Sequence, residues 1–232
     1  MKVLVLGATG YVGLTVVEHL VRNGMAVLGL ARSASRSAGL HKLTSDYFDA
    51  DLSDKKEILR AARQCDAAIY AAGPRSSDAE RIELTALAAL SQGLSEGSPL
   101  IYLSGCSVYG QSSPKPATED QPVVENAKTR SENFVLSTPR LSPTVIRVGL
   151  VYGRSRGIIG RLAAHGRKTG EVPIPKGDRQ WSVIHVDDLA ALIAHFLIKP
   201  PQGQVFNASE ERAVTLDEIG EAAARLAGPG VF

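Results

Sequence analysis

Cysteine, aromatic side chains and net charge are all scarce in this sequence of 232 residues. Its two cysteines, Cys65 and Cys106, lie far apart and fit no metal-ligand spacing, which favours a reduced protein over a disulfide framework. Aromatic residues make up 5% of the chain and form no interleaved set for stacking bases. A formal net charge of +2 is too small to indicate nucleic acid or a membrane surface as a general partner.

Long apolar runs are also absent from the sequence. The aliphatic run that begins at Val3 ends at Gly7, too short for the apolar region of a signal peptide, and no stretch approaches the length of a membrane span. We therefore expect a cytoplasmic protein without a membrane partner. The apolar fraction of 44% is nevertheless large enough to build a sizeable core.

Short aliphatic segments alternate with segments of helical periodicity over the first part of the chain. The predicted strands are Val3–Leu6, Ala26–Leu30, Tyr47–Phe48, Ala67–Ala71, Leu100–Ser104 and Thr144–Val148. The predicted helices between them include Ser77–Leu90 and Val124–Leu136. This alternation predicts an α/β fold of the Rossmann type, a doubly wound parallel sheet with helices on both sides.

The pattern becomes fragmentary after Val148. It predicts a short helix near Ile158–His165, a strand at Trp181–Ile184, a helix at Asp187–Ile198, a short strand near Val205–Asn207 and a last helix from Leu216. We interpret residues 1–232 as one domain, in which 153–182 and 200–232 contribute a small C-terminal lobe on the substrate side.

A glycine triplet follows the first predicted strand and opens the first predicted helix. Gly7, Gly10 and Gly13 give the spacing G-x-x-G-x-x-G. Glycine lets the backbone turn tightly and lets a pyrophosphate approach the free N–H groups at the helix start. A purely structural turn is the alternative interpretation. We predict a dinucleotide site built from Gly7, Thr9, Gly10, Tyr11, Val12 and Gly13.

The end of the second predicted strand indicates which dinucleotide binds. Ala31 stands where an NAD-binding protein usually has a carboxylate for the ribose hydroxyls, and basic and hydroxyl side chains follow. An arginine–phosphate contact contributes about 1.5–3 kcal/mol, which favours NADP, with NAD as the alternative. A solvated loop arginine is the alternative interpretation of Arg32. The predicted contacts are Arg32, Ser33 and Arg36 for the phosphate, Asp51 and Leu52 for the adenine, and Ala71, Ala72 and Gly73 beneath the cofactor.

Four stretches together resemble the extended short-chain dehydrogenase/reductases, the NAD-dependent epimerase/dehydratase family. They are GATGYVG at 7–13, LSGCSVYG at 103–110, IRVGLVYGRSRG at 146–157 and WSVIHVDDLA at 181–190. The resemblance implies a single NAD(P)-binding Rossmann domain with oxidoreductase or epimerase activity. It also implies cofactor contacts from Ser104, Lys128 and Val148.

In that family a serine or threonine, a tyrosine and a lysine carry out hydride transfer. Matching the motifs assigns Lys128 to the lysine, Val124 to the tyrosine position and Gly105 to the hydroxyl position. The resemblance therefore implies an atypical member that keeps only the lysine. A positioned general acid or base raises a reaction rate by about 10²–10⁴-fold, so losing it should slow the reaction by a similar factor.

Other side chains near the fifth strand are candidates to replace the missing groups. Ser107 is placed to reach the site from the loop, whereas Tyr109 belongs to a structural motif in the family. Lys128 itself has two interpretations. It either binds the cofactor ribose or forms an i,i+4 ion pair with Glu132.

Two functions remain open on the sequence. One is an NADP-dependent oxidoreductase or epimerase acting on a small molecule, and the other is a non-catalytic NADP(H) sensor or scaffold with a protein partner. The chain ends soon after its last predicted helix, so we expect a small substrate, a protein partner or a homodimer that completes the cleft. The resemblance implies dimerisation through the helices at 77–90 and 124–136.

Two charged stretches have simpler interpretations than a further site. The basic stretch between Arg154 and Lys168 is either a solvated surface or a contact for a phosphorylated substrate. Asp187 and Asp188 precede an apolar helix and are typical of first-turn acids, so we expect no metal.

Overall fold

A parallel sheet organises the chain. The computed structural model describes residues 1–31, 39–43, 46–74, 76–110, 116–174, 179–201 and 203–230. Its strands are β1 (Lys2–Leu6), β2 (Ala26–Ala31), β3 (Tyr47–Asp49), β4 (Ala67–Tyr70), β5 (Pro99–Gly105), β6 (Ser142–Val148), β7 (Leu150–Tyr152), β8 (Gln180–Trp181), β9 (Val183–His185), β10 (Gln204–Ala208) and β11 (Val214–Thr215). Seven of them form one sheet in the order β10-β6-β5-β4-β1-β2-β3, with every neighbouring pair parallel. The predicted Rossmann-type fold is confirmed.

Helices cover both faces of this sheet. They are α1 (Tyr11–Arg22), α2 (Lys55–Ala62), α3 (Ala79–Gly93), α4 (Ala127–Leu136), α5 (Gly157–Thr169), α6 (Val186–Ile198) and α7 (Leu216–Ala227). Successive strand side chains point to opposite faces, so Ile69 and Ile101 pack with α1 and α6, whereas Tyr70 and Tyr102 pack with α2, α3 and α4. The sheet therefore separates two cores, and the carboxyl ends of its strands form one shared edge.

The start of α4 differs from the prediction. The apolar pair before it favours a helix from Val124, but the helix begins at Ala127. The Asn126 side chain accepts hydrogen bonds from the backbone N–H groups of Lys128 and Thr129, at 2.8 and 3.1 Å. The Thr129 hydroxyl accepts the backbone N–H of Asn126 in return, at 2.9 Å. This capping box fixes the helix start, and Val124 lies outside the helix.

The C-terminal part is built from smaller pieces. Helices α5 and α7 pack against each other, β8 pairs with β11, and β7 pairs with β9. The single strand predicted at Trp181–Ile184 is therefore two short strands with different partners. The prediction that 200–232 contributes only to a small lobe needs one correction, because β10 within it is an edge strand of the main sheet. None of the described helices is long and apolar enough to cross a membrane.

Candidate functional site

The glycine turn between β1 and α1 leaves no room for side chains. Gly7 has φ of +92°, and a Cβ on it would lie 2.6 Å from the carbonyl oxygen of Ala71, at the end of β4. A Cβ on Gly13 would lie 2.0 Å from the carbonyl oxygen of Gly7. Both glycines are required for the turn to pack against its neighbours, so the structural interpretation of the triplet accounts for these two positions.

Gly10 is consistent with a ligand site, whereas packing alone explains Gly7 and Gly13. It is the N-cap residue of α1 and provides no side-chain hydrogen bond to the first turn, which also contains no acidic residue. Among the described residues, no side chain caps the backbone N–H groups at the start of α1, and the helix dipole makes this end electropositive. The arrangement fits a phosphate group of a dinucleotide.

The neighbouring residues of the glycine motif have different roles. Thr9 is half-buried within the turn, and Val12 packs against the core that contains α1. The Tyr11 hydroxyl donates to the carbonyl oxygen of Gly153 at 2.8 Å, so this ring joins the turn to the segment after β7. Burial raises the pKa of Tyr11.

The predicted adenine end lies along the same edge of the sheet. Asp51 follows β3 and accepts hydrogen bonds from the backbone and hydroxyl of Ser53, at 3.0 and 2.8 Å. Leu52 packs against the second core. Beyond β4, Ala71 and Ala72 are half-buried, and nothing lies within 4 Å of the position a Cβ would take on the exposed Gly73. The predicted phosphate contacts Arg32, Ser33 and Arg36 lie outside the described residues.

Gly105 and Ser107 lie together at the end of β5. Gly105 pairs in register with Val148 of β6, which is half-buried against the first core. A Cβ built on Gly105 would be 3.6 Å from the Ser107 hydroxyl oxygen, and Ser107 is exposed. The Ser107 hydroxyl therefore lies beside the place that a hydroxyl residue at 105 would occupy.

Val124 lies on the surface next to this strand end. It is 53% exposed, and its backbone N–H donates to the carbonyl oxygen of Val108 at 2.7 Å. Its Cγ2 atom lies 2.8 Å from the position a Cβ would take on Gly110. A larger side chain at Val124 has solvent to extend into.

Lys128 is held by Glu83, which is not among the predicted site residues. Its ammonium donates to Glu83 on α3 at 2.9 Å and lies 5.2 Å from the centre of the Tyr102 ring. The predicted alternative pair of Lys128 with Glu132 is wrong, because Glu132 binds Arg147. A signal for Glu83 exists in the sequence: it lies on the same face of α3 as Ala86, Leu87 and Leu90.

Tyr102 reaches the Glu83 carboxylate from inside the protein. Its hydroxyl donates to Glu83 at 2.6 Å, and the side chain is fully buried. Burial raises the pKa of Tyr102 far above its ordinary range, and the Glu83 carboxylate raises it further. This phenol is therefore held in its protonated form inside the protein.

Ser104 and Tyr109 belong to a buried polar network. Arg147, only 5% exposed, donates to Glu132 at 2.8 Å and to the Tyr109 hydroxyl at 2.9 Å. Ser104 donates to the same Glu132, and the Tyr109 hydroxyl donates to Asn207 of β10 at 2.7 Å. These bonds link β5, β6, β10 and α4. Ser104 faces α4 here, and Tyr109 has the structural role that the resemblance implies.

A second polar cluster joins α1 to α6. Asp187 accepts hydrogen bonds from Arg154 and from His19, and the hydrogen bond from Arg154 lowers the pKa of Asp187 to about 2. His185 caps α6, and Asp187 and Asp188 lie in its first turn, as predicted. Within the described ranges, no group of three or more histidine, cysteine, aspartate or glutamate side chains is arranged to hold a metal ion.

The sheet order and the glycine turn define a Rossmann-type protein of the NAD-binding class. A family model described as the NAD dependent epimerase/dehydratase family matches residues 3–209, so the chain belongs to that family. The resemblance read from the sequence is confirmed.

The chain resembles two proteins in sequence and one solved structure in fold. An uncharacterised protein of Schizosaccharomyces pombe is 26% identical over 236 residues, which cover 94% of this chain and 78% of that protein. The "Epimerase family protein SDR39U1 homolog, chloroplastic" of Arabidopsis thaliana is 24% identical, over 94% of this chain and 69% of its own. The UDP-glucose 4-epimerase of Thermus thermophilus, solved as a complex with NAD, has a TM-score of 0.79 at 22% identity and is matched over 83% of its chain, by 97% of this one. This last similarity shows the fold.

Proposed function

We propose that this protein binds NADP(H) along the carboxyl edge of its sheet and is an atypical oxidoreductase acting on a small molecule. The observation that carries the proposal is the start of α1, where Gly10 leaves the backbone N–H groups without a side-chain cap. The glycine turn would hold the pyrophosphate, Asp51 and Leu52 would contact the adenine, and Ala71 to Gly73 would lie beneath the cofactor. Arg32 and Arg36 would bind the additional phosphate of NADP.

Nicotinamide cofactors, when bound, supply or accept a hydride. The residues of this chain would then manage the charge and the proton at the substrate oxygen. Lys128, oriented by Glu83, provides a positive charge, and the exposed Ser107 hydroxyl lies closest to the position of the usual hydroxyl residue. Val124 has no proton to donate. We expect turnover about 10²–10⁴ slower than that of an enzyme with a positioned phenol.

A titration with NADPH and NADH tests this proposal, followed through Trp181 and the nicotinamide fluorescence. We expect the wild type to bind NADPH tenfold to a hundredfold more tightly, because an arginine–phosphate contact contributes about 1.5–3 kcal/mol. The variant Gly10→Asp should lose both ligands, since its carboxylate would cap α1 and repel the pyrophosphate.

Asn23→Asp is the matched control, because it adds the same charge at the opposite end of α1, where Asn23 is the C-cap residue. It should leave the affinity for NADPH unchanged. Equal affinity for the two cofactors would contradict the NADP preference, and binding by Gly10→Asp as tight as by wild type would contradict the whole proposal.

A non-catalytic NADP(H) sensor is the second candidate. It is favoured by the loss of proton donors around β5, because the hydroxyls of Ser104 and Tyr109 are committed to buried hydrogen bonds. A panel of small carbonyl compounds separates the two functions. Oxidation of NADPH that is lost in Ser107→Ala or Lys128→Ala supports the enzyme, whereas binding of NADPH without turnover of any compound supports the sensor.

A further inference from the structure

A second cavity lies away from the glycine turn, in the C-terminal part of the molecule. Its volume is about 530 Å³, and it lies between α5 and α7. This volume is within the range of small-molecule sites, roughly 300–1,000 Å³. The apolar part of its wall consists of Ile159, Val183, Val214, Ile219, Ala222 and Leu226.

Two of the three arginines that line this cavity are already paired. Arg212 donates to Glu218 at 2.8 Å, and Arg225 lies 3.4 Å from Glu221. Their charges are balanced within the wall. They therefore offer little net attraction to an incoming anion.

The third arginine has no such partner. Arg156 forms no ion pair with any residue that the structure describes, and its guanidinium carbon lies 5.5 Å from the centre of the Tyr11 ring. Stacking on an aromatic face leaves the N–H edge of a guanidinium available for hydrogen bonds. Tyr11 is itself fixed by its hydrogen bond to Gly153. Arg156 therefore presents an oriented positive charge at the end of the cavity nearest the glycine turn.

The cavity wall also carries one carboxylate that keeps its negative charge. The third glutamate of the wall, Glu210, accepts the hydroxyl hydrogen of Tyr152. This bond and burial raise the pKa of Tyr152 to about 12. The wall therefore combines an apolar surface with one guanidinium and one carboxylate, Glu210, that form no ion pair within the described residues.

We propose that this cavity binds a small anion with an apolar body, whose carboxylate or phosphate is held by Arg156. Because Arg156 stacks on Tyr11 of the glycine motif, a ligand held there lies next to the dinucleotide site. The ligand is therefore the substrate class of the reaction proposed above, and that assignment rests on the proposed function. Binding of the anion alone does not depend on it.

The test uses octanoate, octyl phosphate and uncharged 1-octanol as probes. Trp181 is the only tryptophan of the chain, and β8, which carries it, pairs with Val214 of the cavity wall. Its fluorescence therefore reports binding. We expect at least one anion to bind tenfold or more tightly than octanol, a preference that disappears in Arg156→Gln. The tighter of the two anions identifies the acidic group as a carboxylate or a phosphate.

Arg225→Gln is the matched control, because it removes a paired arginine from the same wall. It should keep the preference for the anion, and Arg156→Lys should keep part of it. Thermal denaturation of each variant confirms that the protein is folded. Equal binding of octanol and both anions, or equal losses in Arg156→Gln and Arg225→Gln, would overturn the proposal.

Titration with NADPH separates this inference from the proposed function. Binding of NADPH without binding of either octyl anion would overturn the cavity assignment and leave the proposed function intact. Binding of an anion that depends on Arg156, in a protein that does not bind NADPH, would keep the anion site and overturn its assignment as the substrate.

Discussion

Among single residues, the buried carboxylate of Glu83 determines the surroundings of Lys128. The Glu83 side chain is 6% exposed, whereas that of Lys128 is 36% exposed. The two partners are therefore not equivalent when one is removed. An ammonium without its carboxylate can turn to water, but a carboxylate without its ammonium stays buried.

This asymmetry predicts an order of stability for two variants. Lys128→Met should lower the free energy of unfolding by about 3 kcal/mol, because it leaves a buried charge without a partner. Glu83→Gln should cost about 1 kcal/mol, because the amide keeps a hydrogen bond to Tyr102 and Lys128 reaches solvent. Urea denaturation measures both values. Equal losses, or a larger loss in Glu83→Gln, would show that burial does not control this pair.

Single residues also show why part of the site escaped prediction. Gly7 and Ala71 follow directly after strands and Asp51 lies two residues after one, whereas Gly10 and Gly13 belong to the start of α1. Parallel strands bring their carboxyl ends to one edge, so these residues could be predicted from local pattern. Lys128 and Glu83 are 45 residues apart in sequence and lie on different helices, and no local pattern links them. The one indication in the sequence is that Glu83 lies on the apolar face of α3, where an acid needs a buried partner.

At the scale of elements, strands were easier to predict than helix ends. The aliphatic segments of β1, β2 and β4 are buried on both faces, so their composition alone identified them. Helix α5 runs from Gly157 to Thr169, longer than the predicted Ile158–His165, and it includes Gly160 and Gly166. Both are buried, and a Cβ on Gly160 would lie 2.2 Å from the carbonyl oxygen of Ser155. Close packing requires this glycine inside the helix.

The capping box of α4 gives a prediction at this scale. Asn126→Ala should lower the free energy of unfolding by about 1 kcal/mol, because two backbone N–H groups lose their acceptor. Asn133→Ala, at an exposed position within the same helix, should change it by less than about 0.5 kcal/mol. Urea denaturation of the two variants provides the comparison. A loss in Asn133→Ala as large as that in Asn126→Ala would show that the effect does not come from the cap, because alanine favours the helix interior.

At the scale of the whole molecule, the sheet edge brings together parts that the sequence keeps apart. Gly105 ends β5, Val124 precedes α4, and the glycine turn follows β1. The proposed activity therefore depends on which side chains lie at this shared edge. Two substitutions can place hydroxyl side chains at this edge.

Gly105→Ser combined with Val124→Tyr should install the two missing hydroxyl groups. A Cβ at 105 meets only the Ser107 hydroxyl oxygen at 3.6 Å and the carbonyl oxygen of Val148 at 3.7 Å, which are ordinary contacts. Val124 is 53% exposed, so a phenol ring fits without displacing the core. We expect NADPH oxidation with a small carbonyl substrate to rise about 10²–10⁴-fold, the contribution of a positioned acid.

Gly105→Ala combined with Val124→Phe is the matched control, because it adds nearly the same volume without either hydroxyl. Its turnover should stay at the wild-type level. If the hydroxyl variant binds NADPH, remains folded and still reacts no faster than this control, then positions 105 and 124 are not the missing catalytic positions. The role of Lys128 would then be its structural ion pair with Glu83. The sensor function would also account better for a cofactor site that lacks a proton donor.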